Sequence, residues 1–443
     1  MMSKLQDTLV RFPLALVACA AFTVFTFGDG DDPFWVVSRR VTAILVACVF
    51  FFVGLRLFTE SRQTAFMNRT MEWIVGLVVA AGLLFYADAF DFSALSAFIV
   101  AFIAFAMIAP FIGAKFDHKA MWFFLCRVGL GFVFSGFVVL VLIAGIGLII
   151  LSLDYLFDVK NVHSFWRIMV VSCSLIWPML TMMQIPKDFS AHADATFVAR
   201  LRSVGDYLLP SLWIVLAAII NAYALNIAVV QSLPRGKVSV LVLLLGGSGF
   251  LTYFLGDSGE ESSALPNRIL RKVFGFLMIA PLMLMGVGIA ERIEGYGLTE
   301  WRYLNVLVLV AMSIGVIYFL VRRKDKMIRV VLATVCILSL LSTIPPVSAL
   351  ELSVASQREQ LKSILESNEV LVGKRIRVDH PPLPPKENGR VIDGLLFLQS
   401  RNRFSAIRDW FEKGDNLVTA VDFAKAMNVP FVGWHPFTDL HPK

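Results

Sequence analysis

The sequence predicts an all-α polytopic membrane protein, a bundle of about eleven transmembrane helices followed by a small, mainly helical C-terminal soluble module. Three observations carry this. Of 443 residues, 58% are hydrophobic and 16% charged, with a mean hydropathy of +0.74, whereas a soluble domain carries about a quarter charged residues. Apolar runs of spanning length recur throughout 1–350, the predicted bundle. After Pro345-Pro346 the composition changes, and 351–443, the predicted extra-membrane module, holds thirteen basic and twelve acidic side chains. The formal charge of +7 is explained first by orientation in a membrane, because basic loops collect on one side. No nucleic-acid partner is expected, and membrane lipids are the partner the composition implies.

A spanning helix needs roughly 20 largely apolar residues. Runs meeting that criterion lie at 12–27, 41–58, 73–90, 92–112, 123–151, 165–185, 208–230, 238–255, 274–290, 303–321 and 327–350. The first is short, and its Leu16-Val17-Ala18-Cys19 imitates a lipoprotein cleavage box. The apolar run continues through Phe27, which favours a span over a signal peptide. Phe90-Asp91-Phe92, with Asp88 close by, predicts a tight hairpin between the third and fourth spans. The fifth exceeds the bilayer and should tilt or emerge from it, while its Gly131 and Ser135, four residues apart, permit close helix contact. Cys19, Cys48, Cys126, Cys173 and Cys336 all sit in apolar runs without a CxxC and read as small core residues.

Counting Lys and Arg on alternate sides puts nineteen on the side of the N-terminus and eight on the other, with thirteen in the tail. The N-terminus is therefore expected in the cytoplasm, and an odd number of spans sends the tail to the opposite face. Trp35, Trp73, Trp122, Trp166 and Trp301, near span ends, suit interfacial anchors.

In the tail, 351–367 reads as an amphipathic helix with Leu361 and Leu365 on one face. Residues 370–378 are β-prone or irregular, and Pro381-Pro382-Leu383-Pro384-Pro385 is expected in an extended polyproline conformation. A second helix is expected to carry Val391, Leu395 and Leu398, a third Phe404, Ile407 and Phe411, and a short fourth 418–427. So few apolar residues predict a marginal core that rests on the membrane or the bundle.

The most informative stretch is the polar turn at 291–303. Gly295 and Gly297 flank Tyr296 and allow positive φ on either side of it. Thr299 is placed to N-cap the following helix, with Glu300 in its first turn. Arg302 opposes the helix dipole, which predicts a compensating anion: Glu291 or Glu294 across the turn, or a lipid phosphate. The candidate functional turn is thus Tyr296, Gly297, Thr299, Arg302 and Tyr303.

Tyr296-Gly297-Leu298-Thr299 with Arg302-Tyr303, between two spans, resembles the signature of the domain of unknown function 4153 family, bacterial multi-pass inner-membrane proteins. Ser356-Gln357-Arg358 with Leu361 and Leu365, and Gly389-Arg390-Val391-Ile392-Asp393 with Leu396, are similar to that family's C-terminal region. The resemblance implies a multi-pass protein of the bacterial inner membrane, and the Lys and Arg count then sends the Tyr296 turn and the tail to the periplasm. It implies no catalytic residue.

Ionisable groups in mid-span would mark ion pathways, but Arg56, Arg127, Arg167, Asp88 and Asp154 all lie close enough to span ends to snorkel. Helix interruptions are the other transport signal. Pro178, Gly246, Gly247, Gly249 and Pro281 fall near mid-span, and Asn221 and Asn226 could line a cavity beside them or bond a neighbouring helix. Asp188, His192 and Asp194 share a loop, but two aligned ligands do not make a metal site. Asp29, Asp31 and Asp32 form an acidic outer loop. No Walker sequence, HExxH or paired cysteine occurs, so no cofactor, metal or catalytic residue is assigned.

The expected function is that of a non-enzymatic cell-envelope scaffold, assembly factor or sensor, with an envelope protein partner reached through the tail. A transporter or lipid flippase is the alternative. A membrane transferase acting on lipid-linked substrates, using Asp29, Asp31 or Asp32 as acid or base, comes third.

Overall fold

The computed structural model describes residues 2–27, 34–62, 69–85, 92–112, 117–157, 162–190, 203–230, 238–257, 264–321, 328–373, 375–379, 381–411 and 417–430. Asp29, Asp31, Asp32, Asp88, Asp91, His192 and Asp194 lie outside them. The chain divides into two compact units, Met1–Gly288 with Val306–Thr343, and Ile289–Asn305 with Ile344–Lys443.

The first unit contains α1 (Met2–Arg11), α2 (Pro13–Thr26), α3 (Phe34–Arg62), α4 (Arg69–Phe85), α5 (Phe92–Ile108) and α6 (His118–Phe157). They are followed by α7 (Val162–Val171), α8 (Trp177–Met182), α9 (Leu209–Val230) and α10 (Val238–Leu255). α11 (Leu265–Tyr296) and α12 (Glu300–Val321) run on into the second unit, and α13 (Ile328–Leu341) completes the set. Phe12, Cys19, Ile44, Cys48, Phe52, Phe102, Met121 and Phe124 form its principal core. Beside it, Phe274 is ringed by Trp213, Phe250, Tyr253 and Phe319 at centroid distances of 5.2 to 5.9 Å. Large apolar side chains such as Val133, Leu140, Ile219 and Met283 face outward, the distribution expected where lipid rather than water is the solvent.

Among the described residues seven helices are long and apolar enough to cross a membrane, or eight if a bent pair is one span. The other four expected spans coincide with the bent pair and with helices shorter than that length. The predicted span at 73–90 is realised as the 17-residue α4, and those at 238–255 and 327–350 as shorter apolar helices. The first breaks by 91° between Lys4–Arg11 and Pro13–Thr26. Pro13 causes the break: it excludes the residue before it from helical geometry, and Phe12 takes φ −124°, ψ 52°. α6, at 40 residues, is about 60 Å long, so the expected overlength is larger than the apolar run suggests. Cys173 is exposed, unlike Cys19, Cys48 and Cys126, which are buried.

The second unit is built from α14 (Ala349–Ser367), β1 (Leu371–Val372), β2 (Arg375–Ile376), α15 (Pro385–Ser400) and α16 (Ala420–Ala426), together with the α11–α12 turn. Ser348 caps α14 by accepting from the Glu351 N–H, and Thr419 with Asp422 forms a capping box on α16. β1 and β2 pair antiparallel, Leu371 opposite Ile376. The last predicted span ends early: α13 stops at Leu341, and Leu350 belongs to α14.

The core of this unit is not marginal. Leu361, Leu365, Val370, Val391, Leu395, Leu398, Phe404, Ile407, Trp410 and Phe423 are all buried in one cluster. Phe404 stacks on Phe423 at 4.3 Å, with Phe411 edge-on at 5.1 Å. The expected third helix is instead two 3₁₀ turns, Phe404–Ala406 and Arg408–Trp410. In a 3₁₀ turn side chains three apart eclipse, and Phe404, Ile407 and Trp410 are the ones that go inside.

Candidate functional site

The predicted turn is tighter than the sequence suggests, because α11 continues through Gly295 to Tyr296 and only Gly297, Leu298 and Thr299 intervene before α12. Gly295 is helical, so the expectation of positive φ on both sides of Tyr296 holds only for Gly297, at φ +71°. The Gly297 N–H donates to Ile293 O at 2.8 Å, the bond that closes a helix whose terminal glycine is left-handed. Thr299 stands just before α12, and its carbonyl accepts from the Tyr303 N–H at 2.8 Å.

Helix ends and tight turns leave carbonyls without intrahelical partners, and side chains from α14 supply donors here. Gln357 Nε2 donates to Tyr296 O at 3.0 Å and to Leu298 O at 3.2 Å. Gln360 Nε2 donates to Gly295 O at 3.2 Å, and Ser356 Oγ accepts from the Leu298 N–H at 2.8 Å. A β-carbon on Gly297 would sit 2.6 Å from Gln357 Nε2 and 2.7 Å from Gln360 Oε1. Glycine is therefore required both by the backbone and by the helix lying against it. Tyr303 adds a bond from its hydroxyl to Val347 O at 2.7 Å.

Arg302 does not pair with Glu291 or Glu294. Its Nη1 donates to Tyr296 O at 3.1 Å and Gly297 O at 2.5 Å, so the guanidinium closes the end of the preceding helix, where a cation is favoured. The anion near the α12 N-terminus is Glu300, which is buried and held by Arg401 at 2.6 Å (Nε) and 2.7 Å (Nη2). The Tyr296 ring is exposed, with Arg302 and Arg390 each 5.6 Å from its centroid. Arg358 bonds Asp409 at 3.0 Å and lies over Trp410. The structure thus brings together Tyr296, Gly297, Thr299, Arg302 and Tyr303 with Ser356, Gln357, Gln360, Arg390 and Arg401. Arg401 and Gln360 were beyond sequence reasoning, since no spacing links positions 101 and 65 residues from their partners.

Of the candidate hinge and cavity residues, Asn221, Gly246 and Gly249 make close contacts with neighbouring helices. Pro281, inside α11, has no N–H to give Leu277 O, four residues earlier. Asn221 Nδ2 fills that gap at 2.9 Å and also bonds Ala217 O at 2.8 Å. Gly246 and Gly249 admit close neighbours: an added β-carbon would lie 2.7 Å from Met312 Sδ and 2.5 Å from Trp213 Nε1, respectively. Gly247 has nothing within 4 Å, and Asn226 is exposed. Pro178 opens α8 directly after the π-helical segment Ser172–Ile176.

Two polar clusters not read from the sequence lie in the first unit. Arg11 holds Glu60 at 2.8 Å and donates to Ile185 O and Pro186 O, while Arg56 joins Glu60 and Glu72, each at 3.0 Å. Arg11 and Glu72 are buried, so these groups form a charge-balanced network instead of snorkelling. The second cluster joins His118 to Asp257 at 2.9 Å and Arg271 to Asp257 at 2.8 Å. Burial pushes the Asp257 carboxyl up, but its hydrogen bonds and charge pairing with His118 and Arg271 outweigh that and hold it below the usual range. Among the described residues no three His, Cys, Asp or Glu side chains gather as a metal site.

No family model matches the chain, and no solved structure matches it. It is similar to an uncharacterized protein of Pasteurella multocida (strain Pm70), 21% identical over 359 residues, 77% of this chain. The chain spans 57% of that relative's length.

Proposed function

We propose that this chain is an integral membrane protein of the bacterial inner membrane and serves as a non-enzymatic scaffold, assembly factor or sensor of the cell envelope. The second unit is its contact surface for an envelope protein partner. One observation carries the reading. The turn between two apolar helices is bonded to α14 through Ser356, Gln357 and Gln360, so movement of the α11–α12 ends and movement of the tail are mechanically one event. The two stretches that carry the resemblance to the domain of unknown function 4153 family are the two that meet there, which supports that kinship.

The proposed orientation puts the N-terminus in the cytoplasm and the module of 351–443 in the periplasm. It is supported by contacts between residues that the charge count assigns to one side: Arg62 with Ile112 O and Trp122 with Phe254 O. The eleven-span count belongs to the same proposal, with α4, α10 and α13 as short spans. Photocrosslinking from the exposed positions Val372 and Val418 in living cells tests the reading. A discrete adduct with an envelope protein is expected. Adducts no stronger than those from an outward position on α6 would end it.

A transporter or flippase is the second reading, favoured by π-helical segments at Ser172–Ile176 and Ser203–Leu208, because such segments often mark functional sites. Reconstituted vesicles that scramble lipid or take up solute would establish it over the first.

A further inference from the structure

The α11–α12 turn gathers arginines that no described carboxylate pairs, apart from Arg401 on Glu300. Among the described residues Arg292, Arg302 and Arg390 have no carboxylate partner, although Glu291 and Glu294 lie on the same helix end. Arg302 spends only Nη1 on carbonyls, leaving Nε and Nη2 to donate elsewhere. Arg390 makes no hydrogen bond to the described protein, and its Nε is buried and unsatisfied. Its Nη groups, on a half-buried side chain, are the donors left to meet an acceptor from outside the protein. Both guanidiniums lie 5.6 Å from the centroid of the exposed Tyr296 ring, and the charge of Arg292 acts on Arg302 from nearby.

We propose that Arg302 and Arg390, both over the Tyr296 ring, with Arg292 one helical turn before Tyr296, form a phosphate-binding site, and that the phosphate belongs to an anionic phospholipid headgroup. Arginine forks match phosphate oxygens in pairs. The site joins the ends of two helices apolar enough to span a membrane, Leu265–Tyr296 and Glu300–Val321. That is the depth at which headgroups lie and at which tyrosine rings concentrate. Arg302 and Arg390 come from elements about ninety residues apart, so a bound headgroup would hold the tail against the turn. The inference rests on the chain lying in a membrane, not on its having a protein partner.

The test is native mass spectrometry of the full chain in detergent, with phosphatidylglycerol, phosphatidylcholine or free glycerol phosphate added in turn. Wild type should retain phosphatidylglycerol over phosphatidylcholine, and Arg302→Gln with Arg390→Gln should weaken that retention about tenfold, the equivalent of one lost charge-assisted contact. Arg408→Gln, on an exposed basic residue of the same unit, should leave it unchanged. Millimolar glycerol phosphate binding as well as the lipid would shift the assignment to free phosphate and overturn the headgroup claim. Equal retention by the double variant, once its thermal transition shows it folded, would overturn the site itself. A double variant that does not fold is replaced by Arg390→Gln alone, judged by the same two outcomes.

Discussion

Arg401, at the C-terminal end of α15, grips Glu300, in the first turn of α12, through two near-parallel hydrogen bonds of 2.6 and 2.7 Å. The pair joins positions 101 residues apart and gives the α12 N-terminus the anion its dipole favours while neutralising a buried carboxylate. The carboxylate is the less exposed partner, at 9% against 35% for the arginine side chain. Arg401→Ala should therefore cost more than Glu300→Ala, because it strands the buried charge, by roughly 1–3 kcal/mol. A double-mutant cycle on thermal unfolding in detergent measures the coupling, and additive losses would mean the two do not act together.

Gly297 and Gly295 should respond oppositely to alanine. Gly297→Ala places a side chain at φ +71° and against Gln357 and Gln360, a left-handed conformation costing about 1–2 kcal/mol before any clash. Gly295→Ala meets nothing within 4 Å and lies in a helix, where it should stabilise by about 0.5–1 kcal/mol. Limited proteolysis between α14 and α15 reports the difference.

Arg302→Ala should loosen the turn more than Arg292→Ala, since of the two arginines it is Arg302 that donates to Tyr296 O and Gly297 O. Hydrogen exchange at Leu298 and Thr299 is the readout. Matching protection in the two variants would show that those bonds hold nothing.

Asn221 should matter only while Pro281 is present. Asn221→Leu leaves Leu277 O unanswered, at a cost of roughly 1 kcal/mol within a helical bundle. In a Pro281→Leu background the backbone N–H at 281 takes up that carbonyl, and the penalty should shrink. Thermal transitions of the four proteins decide it, and an unchanged penalty would assign Asn221 another role.

Acid should unfasten α16 before the rest of the second unit. The Thr419 hydroxyl and backbone N–H hydrogen-bond Asp422 and hold its carboxyl below the usual range, helped by the Val418 N–H and Lys425. A carboxylate lowered on folding stabilises fully above its unfolded value of about 3.9 and loses that contribution as pH falls through the folded value. Amide exchange in Ala420–Ala426 should rise below that window in wild type, whereas Asp422→Asn should show raised exchange already at neutral pH and no acid step.

Several features were legible in the residues alone. The α14 face carrying Leu361 and Leu365, the α15 face carrying Val391, Leu395 and Leu398, and the short helix after Val418 all form where periodicity puts them, because helical spacing needs no knowledge of the partner. The lengths of the apolar helices were less legible. Pro13 bends the first, and α13 ends at Leu341, since hydropathy averages over a run and does not register where backbone bonding stops. The acid–base partners were not legible at all: Arg302 takes carbonyls where a carboxylate was expected, and Arg11, Arg56, Glu60 and Glu72 neutralise one another.

By itself, then, the sequence determined that the chain is helical, apolar enough to live in lipid, and closed by a tail of different composition, because these are properties of local composition and period. Only the tertiary structure decided that the α11–α12 turn belongs with that tail. Gln357, Gln360 and Arg401 reach the turn across a sequence gap that no local rule spans, and they do so because the carbonyls and the carboxylate exposed there need donors that neighbouring residues cannot supply.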